Sequence, residues 1–126
     1  MPTDDEYQRL LAFRNRLRRF DRWSRDAAAA HGLTHAQHQL LLVVRGHEDS
    51  EPTIGDVADA LMVKRHTASE LVDRTAALGL LERERDAVDH RRVHLRLTDA
   101  GREVLRELTD VHLAELRELA PVLGRL

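Results

Sequence analysis

The stretch Asp89-His90-Arg91-Arg92-Val93-His94-Leu95-Arg96-Leu97-Thr98 decides the fold. Val93, Leu95 and Leu97 alternate with His94 and Arg96, the two-residue period of a strand buried on one face. Residues 80–85 are its natural partner, with a less regular alternation, and the polar run 86–91 between them reads as a hairpin tip. Thr98 is a residue type that caps helices, so a last helix runs from about residue 99 to the C-terminus.

Upstream of the hairpin the period changes to that of helices. Leu10, Phe13, Leu17, Phe20 and Ala27 recur at steps suited to one helical face over residues 4–30, which Gly32 ends. Thr34 and Gln37 form a T-x-x-Q capping pattern, and Leu40, Leu41, Val43 and Val44 make the helix behind it apolar on most sides, hence central. A polar loop, residues 47–52, leads to a short third helix that begins at Thr53, with Asp56 three residues on and Ile54, Val57, Ala58 and Leu61 on its buried side. Met62 and Val63 connect it to a helix over about residues 64–78, whose inner side is Ala68, Leu71, Val72 and Thr75. Gly79 stands where a helix end needs positive φ. In the last helix Leu105, His112, Leu119 and Leu126 lie seven apart, with Leu108, Leu116 and Leu123 completing a seam.

The order is therefore helix, helix, helix-turn-helix, hairpin, helix: a mainly α fold with a small β-hairpin, a winged helix-turn-helix in one domain of 126 residues. Residues 33–98 form the lobe that would meet a nucleic acid. Residues 1–32 and 99–126 have more apolar surface than a small core can cover, so they are expected to dimerise, with His112 in the dimer seam.

The charge pattern narrows the function. Charged residues are 33% of the chain yet the net charge is −2, which excludes a general DNA-coating protein and leaves local patches. Residues 61–98 hold eight basic against six acidic side chains, so affinity has to come from geometry and from two copies acting together. With no cysteine, disulfides, thiolate zinc sites and cysteine redox sensing are excluded. No apolar run approaches the roughly 18–20 residues of a membrane span and the N-terminus lacks a signal-peptide core, so a cytoplasmic protein without a membrane partner is expected.

A helix-turn-helix presents the start of its second helix to the major groove. Here that start is Lys64, Arg65, His66 and Thr67, followed by Ser69, side chains that reach phosphates or base edges. The hairpin is the second contact: Arg91 lies near its tip, where a guanidinium can enter a narrow minor groove, Asp89 is placed to orient it, and Arg85, Arg92 and Arg96 lie on the strands. Glu82, Glu84 and Asp86 are near enough to pair with these arginines, which is the purely structural alternative.

Taken together these segments resemble the MarR family of bacterial winged helix-turn-helix regulators. Asp89-His90-Arg91, then Leu95-Arg96-Leu97-Thr98 and Gly101, is similar to the family's wing pattern. Leu71-Val72-Asp73-Arg74 and Gly79-Leu80-Leu81-Glu82-Arg83 are similar to its recognition helix and exit, and Leu33-Thr34 with Gln37 and residues 40–42 to its second helix. The resemblance implies a homodimer joined through its terminal helices on a pseudo-palindromic operator of double-stranded DNA. It further implies a regulator, most simply a repressor, that is no enzyme and needs no cofactor. It assigns Lys64, Arg65, His66, Thr67 and Ser69 to the major groove, Arg91 to the wing tip and Asp89 to its anchor. A winged-helix module that binds protein is the alternative. Glu70, Thr75, Leu78, Ala87 and His90 depart from the family pattern; Glu70 costs affinity near phosphates unless it reads a cytosine amino group.

Relatives in that family bind small aromatic or anionic effectors between the dimer helices and the lobe. Arg16, Arg19, Arg22, Trp23, His38 and Arg45 are the candidates here, guanidinium for a carboxylate and indole for an apolar wall; the alternative is that Trp23 packs and the arginines form a solvated face or dimer ion pairs. His31, His35 and His38 have a spacing that could hold zinc, but no carboxylate lies among them, and surface or capping roles suit them better, so no metal is expected. No nucleophile with a base partner and no phosphate-cradling glycine loop stands out, consistent with a non-enzyme.

Overall fold

Threonine starts four of the helices. The computed structural model describes residues 1–48 and 51–126, so residues 49 and 50 of the polar loop lie outside it. Thr3, Thr34 and Thr53 each accept the N–H three residues on, while Glu6, Gln37 and Asp56 reach back to the capping residue's own N–H. These caps open α1 (Asp4–Ala30), α2 (His35–Gly46) and α3 (Ile54–Leu61). Thr98 opens α5 (Asp99–Leu123) in the same way, accepting from the Gly101 N–H. Only α4 (Arg65–Ala77) starts without a side-chain cap, behind Lys64, and its first amide groups are left open.

Between α4 and α5 lies the hairpin of β1 (Leu81–Arg85) and β2 (Val93–Leu97), antiparallel with Leu81 opposite Leu97 and Arg83 opposite Leu95. The Leu95 N–H donates to the Pro52 carbonyl at 2.8 Å, which ties the strand to the chain entering α3.

α2 is central, as its all-round apolar sequence requires, and touches α1, α3, α4, α5 and β2. Leu40, Leu41 and Val44 pack with Val57 and Ala58 of α3, Ala68 and Val72 of α4, Leu95 of β2 and Leu105 and Leu108 of α5. Each leucine buried in this way contributes about 2 kcal/mol. Gly101 is forced by the base of the hairpin: a Cβ there would lie 2.0 Å from the Leu80 carbonyl oxygen. Gly79 takes φ 77°, ending α4 as its sequence position requires. Met62 takes φ 58° in the turn between α3 and α4, a left-handed conformation that methionine does not advertise in sequence.

The terminal helices differ from the sequence expectation. Leu105, Leu108, His112 and Leu119 are buried within the single chain, and His112 packs against α1 and α2, so it does not belong to an open seam. Leu113, Leu116, Leu123 and Leu126 are exposed, and on α1 so are Tyr7, Leu10 and Leu11. The reason is the tilt of the α5 face: the inner row at 105, 108, 112 and 119 meets the chain's own core, leaving an outer row bare.

Candidate nucleic-acid interface

α4 rests its Ala68, Val72 and Thr75 side on the core, which turns Lys64, Arg65, His66, Thr67 and Glu70 outward, all exposed. Thr75 stays buried because its hydroxyl donates to the Leu71 carbonyl at 2.8 Å. A groove of about 720 Å³ runs between the starts of α3 and α4 and the hairpin, lined by Arg65, His66, Ser69, Arg91 and Arg92. The Arg65 guanidinium lies over Gly55, close enough that a Cβ there would come within 2.6 Å of Nη2. Arg92 also faces this groove; it was seen in sequence only as one of several strand arginines.

The hairpin tip is built on carboxylates. Asp86 accepts from the Asp89 N–H at 2.9 Å, and that bond, with His94 and Arg92 nearby, holds the Asp86 carboxyl below the usual carboxylate range. Asp89 in turn accepts from the Arg91 N–H at 3.1 Å and from Arg91 Nε at 3.2 Å. Arg91 keeps 91% of its side chain exposed while held in this way. Asp89 and Arg91 are thus paired near the hairpin tip, as their spacing suggests.

Two further arginines of the hairpin are paired within the lobe. Arg96 has Glu84 at 3.2 Å, Glu82 at 3.5 Å and Glu51 at 4.0 Å, so its charge is spent within the lobe. Arg83 pairs with Asp73 at 2.6 Å and also donates to the Ser69 carbonyl at 3.3 Å and hydroxyl at 3.4 Å. Ser69 is thus half-buried and bracketed by the wing, unlike the free side chain its position suggests. Arg83 is the residue that sequence reading missed. Its strand alternation gives no hint that it crosses to α4.

The candidate effector residues are not brought together. Trp23 and His38 both pack on His112, with ring centroids 4.8 and 4.6 Å away. His112 Nδ1 donates to the Leu108 carbonyl, and Ser24 Oγ lies 2.7 Å from Nε2. Beside this stack a cleft of about 390 Å³ is lined by Phe20, Asp21, Ser24, His35, His38, Gln39, Leu42, Thr109, His112, Leu113 and Leu116, without an arginine. Arg16 instead pairs with Glu115 at 3.6 Å, Arg19 and Arg22 point to solvent, and Arg45 lines a different recess with Arg96 and Arg102. Burial, then the His112 ring, push His38 down to about 4, and burial followed by Arg25 lowers His35. His31 caps the Ala27 carbonyl at 3.0 Å and faces Glu107 at 3.2 Å, away from a common centre with His35 and His38. Among the described residues no three histidine or carboxylate side chains are grouped to hold a metal ion. Nor is any described helix long and apolar enough to cross a membrane.

Residues 31–92 match the model of the MarR family. The HTH-type transcriptional regulator TtmR of Methylorubrum extorquens (strain PA1) is 35% identical over 83 residues, 66% of this chain and 42% of that protein. The match thus spans less than half the length of that relative. Of solved structures, AbsC, a MarR family transcriptional regulator from Streptomyces coelicolor, superposes with a TM-score of 0.78 at 24% identity, over 94% of this chain and 80% of its own. MepR of S. aureus in complex with DNA superposes at 0.75 with 21% identity, over 96% of this chain and 85% of its own. These two share the fold of five helices and a two-stranded wing.

Proposed function

The chain belongs to the MarR family, and from that premise we propose that it is a sequence-specific DNA-binding regulator of transcription that acts as a homodimer on a pseudo-palindromic operator. One observation carries this reading: the outward side of α4 and the anchored Arg91 flank a single groove, so helix and wing face one surface. α4 enters the major groove with Lys64, Arg65, His66 and Thr67, and its uncapped first turn offers amide N–H groups to a phosphate. Arg91, oriented by Asp89, reaches the flanking minor groove. Ser69 contributes from its bracketed position.

The second copy follows from the exposed row on the terminal helices. Tyr7, Leu10, Leu11, Leu113, Leu116 and Leu123 leave an apolar surface that water does not favour, and a matching face on a partner covers it. Residues 1–32 and 99–126 are then the dimerisation helices and 33–98 the reading lobe. A dimer seated across a promoter excludes the polymerase, so repression is the simplest outcome, exerted in the cytoplasm. A small aromatic effector would find the histidine-lined cleft between α1, α2 and α5; an anionic one would find Arg45 and Arg102 at the neighbouring recess.

The test is a binding titration of the full chain on the intergenic DNA beside its own coding region, at several salt concentrations. Affinity should fall steeply as salt rises, and Arg91→Ala should weaken it by about tenfold with the melting temperature unchanged. Salt-independent binding, or the same affinity for Arg91→Ala, would favour a winged module that binds protein.

A further inference from the structure

Acidic side chains on the reading surface are almost all occupied. Asp73 is paired with Arg83, Glu82 and Glu84 with Arg96, and Asp89 with Arg91, while Asp86 takes the Asp89 N–H and faces His94 at 3.7 Å. Glu70 is the exception in α4 and the hairpin among the described residues: it is exposed and has neither a cation nor an N–H partner. Its place on the helix is also singular. It lies two residues from both Ala68 and Val72, about half a turn from each, and those two are fully buried. Glu70 therefore points directly away from the core, from the middle of the exposed side that begins with His66.

An unpaired carboxylate there meets the strongest negative field in the complex, since phosphates flank both sides of the groove. It is tolerated where the floor of the groove offers a donor. Adenine presents N6–H₂ beside the N7 acceptor, which repels a carboxylate, whereas cytosine presents N4–H₂ with no acceptor of its own alongside. We propose that Glu70 is a specificity-determining residue that accepts a hydrogen bond from a cytosine N4 amino group, so that each half-site has a C·G pair facing the centre of α4. This rests on the reading of α4 as the major-groove helix. Asp73, Glu82, Glu84 and Asp89 are paired with wing arginines and Asp86 is held by the Asp89 N–H, which leaves the one free carboxylate for base choice.

The experiment is selection of bound duplexes from a randomised pool by the full chain, by Glu70→Gln and by Glu70→Ala. The unaltered chain should favour cytosine at one symmetry-related pair of positions by about tenfold or more. Glu70→Gln, whose amide both donates and accepts, should move that preference to adenine. Glu70→Ala should erase it there and leave every other position as it was. The same preferred sequence in all three proteins would overturn the assignment and leave the DNA reading intact. A uniform gain in affinity without a change of sequence would do so too, for Glu70 would then be a repulsive charge and no reader. Enrichment of no sequence by the unaltered chain would overturn both.

Discussion

The lobe from α2 to β2 and the pair of terminal helices solve the problem of apolar surface in opposite ways. In the lobe, α2, α3, α4 and the hairpin bury Leu40, Leu41, Val57, Val72 and Leu95 completely on one another, while Leu42, Met62, Val63, Leu78 and Val88 stay exposed at scattered positions. In the terminal helices, α1 buries only Ser24 and Ala28 completely, and α5 turns one row of leucines in and another out. The terminal helices thus leave a row of apolar side chains uncovered within the single chain. In the proposed homodimer the difference would separate what recognises from what assembles, and two copies held at a fixed spacing would offset a surface with little net charge.

The sharpest way to break this contrast is at the joint between the regions. Gly101→Ala places a methyl group against the Leu80 carbonyl and should cost about 3 kcal/mol or more, seen as a lower midpoint in urea denaturation. A midpoint within experimental error of the unaltered chain would mean that α5 can shift freely against the lobe. Next in size, Leu10→Asp with Leu123→Asp puts charge on the exposed row and should weaken self-association by about a hundredfold while the lobe stays folded. Light scattering together with circular dichroism checks both halves of that outcome.

The histidine stack lies where the two regions meet, and it makes stability depend on pH. His38 titrates near 4 in the folded chain against an ordinary 6.5, because burial and the adjacent His112 disfavour its charged form. The unfolded chain therefore binds more protons between these values, and stability should drop as pH falls from about 6.5 to 4, by at most about 1.4 kcal/mol per pH unit for this group. His35 is lowered in the same direction and adds to the loss. His38→Gln should flatten the profile of melting temperature against pH in that window; an unchanged slope would assign the acid sensitivity elsewhere. The smallest effect is confined to the lobe. Met62→Gly relieves a left-handed backbone at an exposed turn and should raise stability by about 0.5–1 kcal/mol, with DNA affinity unchanged.

Periodicity and caps made the elements legible: Thr34 with Gln37, Thr53 with Asp56 and the alternation at Val93, Leu95 and Leu97 are local signals, and local signals survive folding. The anchored pair Asp89 and Arg91 was legible for the same reason, being two residues apart. What sequence did not reveal depends on contacts between elements. The seven-residue spacing of Leu105 and His112 is the same whether the partner helix lies in the same chain or in another, and only packing against Phe20, Ser24 and His38 decides it. Arg83 crosses from β1 to Asp73 on α4, a contact no local spacing reveals, whereas the pairing of Arg96 with Glu82 and Glu84 was open to a reading of the hairpin alone. The arginines of α1 follow one another along the sequence at near-helical steps, yet Arg16 ends on Glu115 and Arg19 in solvent, so they build no common site.

Thr98 ties three elements together at one residue. Its hydroxyl donates to the Gly79 carbonyl at 2.7 Å and accepts from the Gly101 N–H at 3.0 Å, while its own N–H donates to the Leu80 carbonyl at 3.1 Å. One residue thus clasps the exit of α4, the root of β1 and the first turn of α5. Any rotation of α5 about its axis would therefore bear on the exit of α4 and the root of β1 together, with no slack loop between to absorb it.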